Sequence, residues 1–364
     1  MDHKGRLRRL QESLHRNRLD ALLVTHLPNI RYLCGFTGSA GALLVLDKKR
    51  VFFTDGRYRT QAHAEVQGCT VIVSKKGALV ACAEWLRAHR KSSSRMRRRV
   101  GIEGEHITVA ERSRLSSILP GDSLLRPAPA LIERSRMLKD AEEIEQIRKA
   151  VLLGADLFDV ILKAIRPGVK ESEVAAELEY AARKAAAEGM SFPTIIAGGT
   201  RSSLPHGRAS DAPIPGSGFV VCDFGVILAG YCSDMTRTVF VGRPAGEARR
   251  VYEAVRRAQQ AAIEAVRPGV TVGEVDEAAR KLLKKINLDR YFTHSTGHGV
   301  GLEIHEPPRI AAGQAEVLRP GMVITVEPGV YIPGKFGVRI EDMVVVTERG
   351  CQVLTPTSKT LIAL

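Results

Sequence analysis

The segment Arg166-Pro167-Gly168-Val169 recurs as Arg267-Pro268-Gly269-Val270, 101 positions later, and Glu173-Val174 recurs as Glu274-Val275 in the same register. One tetrapeptide match lies within chance; a second match at the same offset makes duplication the better account. In each copy a stretch of helical periodicity runs up to the Arg-Pro-Gly turn, where proline and glycine end it. A second helix is expected next, with Glu171 or Val272 near its start. Strand-rich sequence follows, at 219–242 in the first copy and 321–346 in the second. The repeated unit is thus a helical hairpin plus a sheet. Two such halves meet along a seam, and a seam is a natural place for a site.

The N-terminal third is built differently. Apolar runs at 20–25, 42–46, 51–54, 70–74 and 99–102 read as strands, alternating with helical patterns at 7–14, 57–66 and 78–90. That alternation predicts an α/β domain. The stretch Arg126-Pro127-Ala128-Pro129 reads as a linker, because each proline lacks a donor and biases its predecessor away from helix. Helical periodicity resumes over 139–165. The expected division is an α/β N-terminal domain over 1–130 and a duplicated α+β domain over 131–364.

Charge marks the same division. The net charge is +14, of which residues 1–132 carry +13 and residues 133–364 carry +1. Seven of the basic residues fall between Arg87 and Arg99, around Ser92-Ser93-Ser94, which reads as a helix end and an exposed loop. No aromatic residue stands there to stack on bases, so a nucleic-acid partner is not expected. With 44% hydrophobic and 26% charged residues, wholesale disorder is excluded. No apolar run approaches the roughly 18–20 residues of a membrane span, and residues 1–17 lack the apolar core of a secretion signal. Six cysteines without a C-x-x-C pair exclude a thiolate zinc site and point to reduced thiols in a cytoplasm.

The chemistry lies in the repeats. Asp223 interrupts the apolar strand 219–224, and Asp234 interrupts the next, 231–240. Adjacent antiparallel strands would set the two acids side by side. At about 4 Å such a pair repels by roughly 4 kcal/mol at an effective dielectric of 20, so it needs protons or cations. The second half adds His298 within Thr296-Gly297-His298-Gly299-Val300-Gly301, Glu327 after an apolar strand, and Glu341 within Arg339-Ile340-Glu341-Asp342. Singly, each has a plain alternative: a loop histidine, or an acid that forms a turn. Cys232, of the same parity as Asp234, is expected to be a small buried hydrophobe and not a ligand. Together, Asp223, Asp234, His298, Glu327 and Glu341 make an oxygen-rich ligand set for two divalent cations, favouring Mn²⁺, with Fe²⁺, Co²⁺ or Zn²⁺ as competitors. A zincin helix is excluded at His305-Glu306-Pro307-Pro308-Arg309, where the second histidine is missing and prolines break the helix. No G-x-S-x-G elbow or Walker A loop occurs, and the glycines around His298 have the wrong spacing for a dinucleotide fingerprint.

In these motifs the chain resembles the metallopeptidase family of methionine aminopeptidases, prolidases and aminopeptidase P, whose catalytic domain has the duplicated pita-bread fold. The resemblance rests on Asp223 and Asp234, GHGVGLEIHE at 297–306, Glu327 in VEPG and Glu341 in RIED. All five ligand positions match the family's dinuclear metal ligands, which disfavours the metal-free creatinase branch. FTGSAGALLV at 36–45 and TDGRY at 54–58 are similar to the N-terminal domain of prolidases and aminopeptidase P. The resemblance implies a substrate-facing role for His206, and contact of His305 with the scissile peptide and the tetrahedral intermediate. It implies that His294 lines a proline pocket, that Arg339 stands near Glu341, and that Tyr331 supports or lines the pocket. Glu327 is then the general base as well as a ligand. The implied reaction is hydrolysis of the bond between an N-terminal residue and proline, in a homodimer. Segment 199–210 leans toward aminopeptidase P, with Xaa-Pro dipeptidase (prolidase) as the alternative. A non-catalytic pita-bread binding protein is a remoter reading, disfavoured because no ligand is missing.

Overall fold

The structure, a computed structural model, describes residues 1–89, 98–119, 121 and 123–364. It divides into two compact units, Met1–Arg136 and Met137–Leu364. The expectation of an exposed loop within the basic segment 87–99 falls, for 90–97, outside the described residues.

The first unit runs α1 (His3–Arg16), β1 (Ala21–Val24), α2 (Leu27–Cys34), β2 (Ala42–Leu46), β3 (Arg50–Asp55), α3 (Arg59–Glu65), β4 (Thr70–Ser74) and α4 (Ala78–Ala88). It ends with β5 (Arg98–Ile102), α5 (Val109–Ile118), β6 (Ser123–Pro127) and α6 (Leu131–Arg136). The strands form one mixed sheet in the order β4-β3-β2-β1-β5-β6. The expected α/β alternation is present, with one correction. Arg126-Pro127 is not a linker but the end of β6, an edge strand paired parallel to β5 with Pro127 opposite Ile102. At an edge the missing proline N–H is tolerated. Three helices, α2, α5 and α6, escaped the periodicity reading. In α2, Pro28 sits in the first turn, where no intrahelical donor is needed. In α5, Thr108 and Glu111 form a capping box with both hydrogen bonds present, a signal legible in the sequence as T-x-x-E.

In the second unit α7 (Ala141–Ala164) and α8 (Glu171–Lys184) form one hairpin, and α9 (Gly246–Ala265) and α10 (Val272–Lys284) the other. The duplication persists down to single hydrogen bonds. Gly168 and Gly269 take φ of +86° and +85°, a left-handed turn open to glycine. Gly168 N donates to Ile214 O at 2.9 Å, and Gly269 N to Leu318 O at 3.0 Å. Isolated bridges Lys170–Pro213 and Thr271–Val317 follow at matching places.

The first half contributes β7 (Gly189–Met190), β8 (Ile195–Gly198), β9 (Gly218–Phe224), β10 (Val226–Leu228), β11 (Tyr231–Cys232) and β12 (Met235–Val241). The second contributes β13 (Gly297–Gly299), β14 (Glu306–Ile310), β15 (Val323–Val326), β16 (Gly329–Ile332), β17 (Phe336–Arg339), β18 (Asp342–Val346) and β19 (Cys351–Val353). The principal sheets are β12-β9-β8 and β14-β13-β15-β18-β19. Each packs one face on its helices. Val220, Cys222 and Phe224 join Leu157, Phe158, Ile161, Val174 and Leu178 in the first core. Ile324, Val326, Val344 and Val346 join Val251, Val255, Val275 and Ala279 in the second. Phe219, on the other face of β9, reaches the second core, with ring centroids 4.9 Å from Phe240 and 5.2 Å from Phe336.

That crossing makes Phe219 a strong test of the packing. Phe219→Ala should destabilise the protein by about 3–5 kcal/mol through lost burial and a retained cavity. Urea unfolding followed by far-UV circular dichroism measures it; a loss below about 1 kcal/mol would show that the site collapses freely.

Candidate metal centre

The period-two alternation that buries one face of each strand delivers the acids to the other. With Val220, Cys222 and Phe224 in the core, Asp223 projects from the opposite face of β9. Met235, Val239 and Val241 likewise bury one face of β12, leaving Thr236, and Asp234 just before the strand, on the side of Asp223. Asp223 pairs in register with Thr236, so Asp234 lies diagonally across from it, not directly opposite. In the second half Val326 pairs with Asp342, and Glu327 and Glu341 each lie one step beyond that last pair. Their parity again turns them away from the helices.

His298 stands between two glycines for a steric reason. A Cβ on Gly297 would lie 2.0 Å from Thr325 O, and one on Gly299 would lie 2.2 Å from Pro307 O. The backbone can approach its neighbours only without side chains there. His298 Nδ1 donates to Gly299 O at 3.0 Å, which leaves Nε2 with its lone pair free to ligate. That atom lies 3.4 Å from Glu327 Oε1 and 3.6 Å from Asp234 Oδ2. Asp234, His298 and Glu341 each offer one ligand atom within 4.8 Å of the others. All five residues expected as ligands line one cavity of about 840 Å³.

Burial dominates the electrostatics, and mutual repulsion adds to it. Desolvation, then Glu341, Asp223 and Glu327, hold the Asp234 carboxyl well above the usual range. Desolvation, then Glu327 and Asp223, do the same for Glu341. Glu327 is pushed up to about 8, chiefly by burial. Desolvation and the neighbouring His305 lower His298 to about 4, so its imidazole is neutral. Asp223 Oδ1 and Glu341 Oε1 are buried without a hydrogen-bond partner, whereas Glu341 Oε2 accepts from Thr236 Oγ1 at 2.8 Å. Orphaned carboxylate oxygens, crowded acids and a bare imidazole nitrogen fit divalent cations, and the oxygen-rich donor set suits a hard or borderline metal.

Arg339 flanks the cluster. Its Nη2 donates to Asp223 Oδ2, its Nε to Thr236 Oγ1 at 3.1 Å, and its Nη1 to Tyr331 Oη at 2.6 Å and Pro205 O at 3.0 Å. From there a directed chain runs on. His294 Nδ1 can only donate to Ser295 O at 2.8 Å, so its Nε2 accepts from the Tyr331 hydroxyl at 2.9 Å. Burial and Arg339 lower His294 to about 3, consistent with that single neutral tautomer. His206, His294 and His305 line the cavity; Tyr331 is buried behind it. Burial and His206 lower the pKa of His305. Cys232 is buried among apolar residues, as expected. Sequence reasoning passed over Arg208 and Arg309, which also line the cavity, beside Phe192, Pro193, Ile195, Ile304 and Pro307. For Arg309 the signal was available. Alternation along β14 buries Glu306, Pro308 and Ile310 and exposes Pro307 and Arg309.

Raised carboxyl pKa values mean that the folded, metal-free protein keeps protons that the unfolded chain releases. Stability then falls as pH rises through that interval. The lowered histidines act oppositely, but only below about pH 6.5, their unfolded value. Between pH 6.5 and 8 the carboxylates alone remain. The metal-free protein should therefore lose melting temperature across that window, and the gain on adding Mn²⁺ should grow across it. Thermal unfolding at both pH values decides this; a metal increment independent of pH would remove these acids from the ligand set.

Comparison with known proteins agrees with the geometry. Residues 145–348 match the profile of metallopeptidase family M24, and residues 6–138 match the creatinase/prolidase N-terminal domain. The chain is 37% identical over 360 residues to an Xaa-Pro dipeptidase of Pyrococcus furiosus, covering 99% of this chain and 100% of that one. The solved structure of an Xaa-Pro dipeptidase from Bacillus anthracis superposes with a TM-score of 0.94 at 38% identity, covering 100% of both chains. That of an X-Pro aminopeptidase from Thermotoga maritima gives 0.87 at 36% identity, covering 97% of this chain and 100% of that one. Among the described residues no helix is long and apolar enough to cross a membrane. The chain thus belongs to metallopeptidase family M24, a metallo-exopeptidase with a creatinase/prolidase-type N-terminal domain and a pita-bread catalytic domain.

Proposed function

We propose that the protein is an Xaa-Pro dipeptidase that uses two divalent cations, Mn²⁺ foremost, held by Asp223, Asp234, His298, Glu327 and Glu341. The observation that carries this reading is the charge layout of the cavity. A buried acidic cluster lies at one part, and the exposed guanidinium groups of Arg208 and Arg309 line the same space. A dipeptide is a zwitterion with both charges within a few ångströms of the scissile bond. Its ammonium suits the acids near Asp223, and its carboxylate suits the arginines. A longer Xaa-Pro-Yaa peptide places an amide where the arginines would pair a carboxylate. The names of the Pyrococcus and Bacillus relatives support the same choice over the aminopeptidase P action toward which segment 199–210 leans. The Thermotoga aminopeptidase keeps that action as the second reading.

Bound divalent cations supply Lewis acidity, polarising the scissile carbonyl and making water acidic enough to attack at neutral pH. Glu327 takes the proton of the attacking water and returns it to the proline nitrogen, which as a tertiary amide has none of its own. His305, neutral because burial and His206 lower its pKa, donates to the developing oxyanion. His206 and His294 border the substrate, and Phe192, Pro193, Ile195, Ile304 and Pro307 give the pyrrolidine ring an apolar surface. The homodimer that the resemblance implies and the cytoplasmic setting to which the cysteines point belong to this proposal.

Assaying the Mn²⁺-reloaded protein on Gly-Pro and Gly-Pro-Gly in parallel tests the substrate. Gly-Pro should be preferred by at least about tenfold in kcat/KM, and Arg309→Ala should reduce that figure by about ten- to a hundredfold for Gly-Pro while sparing the tripeptide. A preference for Gly-Pro-Gly would establish the aminopeptidase reading instead. His298→Ala should lower metal affinity and turnover together, each by about a hundredfold or more. Full turnover by that variant would remove His298 from the centre.

A further inference from the structure

The loop 199–210 carries His206 and Arg208 into the cavity, and its fastening is unlike that of an ordinary surface loop. Glu171, the first residue of α8, is fully buried, and its carboxylate is occupied by donors from both ends of this loop. Oε1 accepts from Gly198 N at 2.8 Å and Arg201 Nε at 3.1 Å. Oε2 accepts from Arg201 Nε at 3.0 Å, Ser210 N at 3.2 Å and Ser210 Oγ at 2.8 Å. Arg201 spans the loop in turn, with Nη2 donating to Arg208 O at 2.9 Å. The far side is tied to the second half through Ser202 Oγ, which accepts from Gly337 N at 2.9 Å, and through Pro205 O on Arg339.

A carboxylate is an acceptor only, with room for about four donors, and here all of them come from loop 199–210 or from Gly198, the strand residue that leads into it. A glutamine of the same shape would turn an N–H toward Gly198 N or Ser210 N, donor against donor. The second half repeats the device on its matching helix. Asp276 of α10 accepts from Arg280 Nε at 2.7 Å and Thr296 Oγ1 at 2.8 Å. Arg280 donates to Phe292 O at 3.0 Å and His294 O at 2.6 Å. Each second helix thus braces the loop that bears a cavity histidine, His206 in one half and His294 in the other.

We propose that Glu171 and Arg201 are positioning residues of the substrate site. Their ion pair holds loop 199–210 so that His206 and Arg208 meet the substrate without a cost of ordering at each encounter. The inference rests on the dipeptidase reading for the substrate that occupies the cavity. Neither residue touches a metal ligand, so loosening the brace acts on binding and not on the metal centre.

Arg201→Ala is the first variant, because its side chain is 33% exposed and the Gly198 and Ser210 donors to Glu171 remain without it, whereas Glu171→Gln strikes a buried group. With Gly-Pro, Arg201→Ala should raise KM about tenfold while kcat changes less than about threefold, with Mn²⁺ affinity by calorimetry unchanged. Glu171→Gln should follow in the same direction. Amide hydrogen exchange across 199–210 should accelerate in both. In a background of His206→Ala with Arg208→Ala, Arg201→Ala should add less than about twofold, because what it positions is gone. An equal penalty in that background, a fall in kcat with KM unmoved, or exchange at the parent rate would overturn the proposal. Should the parent protein cleave no Xaa-Pro peptide, the dipeptidase reading is what fails. The exchange of 199–210 in Arg201→Ala then decides the brace alone.

Discussion

Four carboxylates crowd one part of a single cavity, and the cost of charging them there organises what surrounds them. Two such charges about 4 Å apart repel by roughly 4 kcal/mol at an effective dielectric of 20, and four cannot all ionise there unaided. Desolvation is the larger cause, and together with the repulsion it holds Asp234, Glu327 and Glu341 above their ordinary range. The chain itself offsets only part of this. Arg339 stays charged because, against burial, Tyr331, Asp223 and Glu327 favour its cationic form. Thr236 adds a donor to Glu341, and Thr325 Oγ1 lies 3.4 Å from Glu327 Oε1. What remains is a deficit of positive charge that divalent cations fill, and folding of this centre is thereby coupled to metal binding.

A cluster this unfavourable without cations needs a scaffold that cannot relax away from it, and paired strands provide one. In both halves the acids sit at the ends of two antiparallel strands whose other faces are locked in a helix-covered core. The halves solve the problem with different side chains. Asp223 and Asp234 are diagonal across their pair, and Glu327 and Glu341 each lie one residue beyond the last pair of theirs, Val326 and Asp342. The second half adds His298 on a third strand, where glycines let the backbone close in. Duplication therefore supplied the framework, while the side chains it presents to the cavity diverged.

Much of this was legible before any coordinates because the relevant signals are local and periodic. The Arg-Pro-Gly-Val repeat announced two helix-ending turns, and an acid interrupting an apolar strand announced a face that turns away from the core. What was not legible depended on pairing between distant segments. Proline at Pro127 reads as a linker until its strand is known to lie at a sheet edge. No spacing in the sequence links Glu171 to Ser210, or Arg339 to Asp223, because those contacts follow from how whole elements pack. The lean toward aminopeptidase P came from segment 199–210 alone. The proposed dipeptide recognition draws also on Arg309, which lines the same cavity and lies a hundred residues further on.

Behind the clustered acids, on the opposite parity, sits a second polar arrangement that keeps the seam in register. Arg237 follows Thr236 by one residue and is fully buried. It donates to Glu341 O and Thr236 O, and pairs with Asp342 Oδ1 at 2.7 Å. Asp342 Oδ2 also accepts from Gln259 Nε2 at 2.8 Å and lies 2.9 Å from Lys359 Nζ. A buried ion pair adds little net stability over an apolar packing of the same shape, because both charges lose their water. Its consequence here is positional. A slip of one residue in a strand exchanges its two faces, which would carry Glu341 into the helix-facing core and Asp342 into the cavity. The same slip would leave Arg237 buried and unpaired, a penalty no apolar contact imposes. The pair thus discriminates against the one register error that would leave the fold nearly intact and destroy the centre.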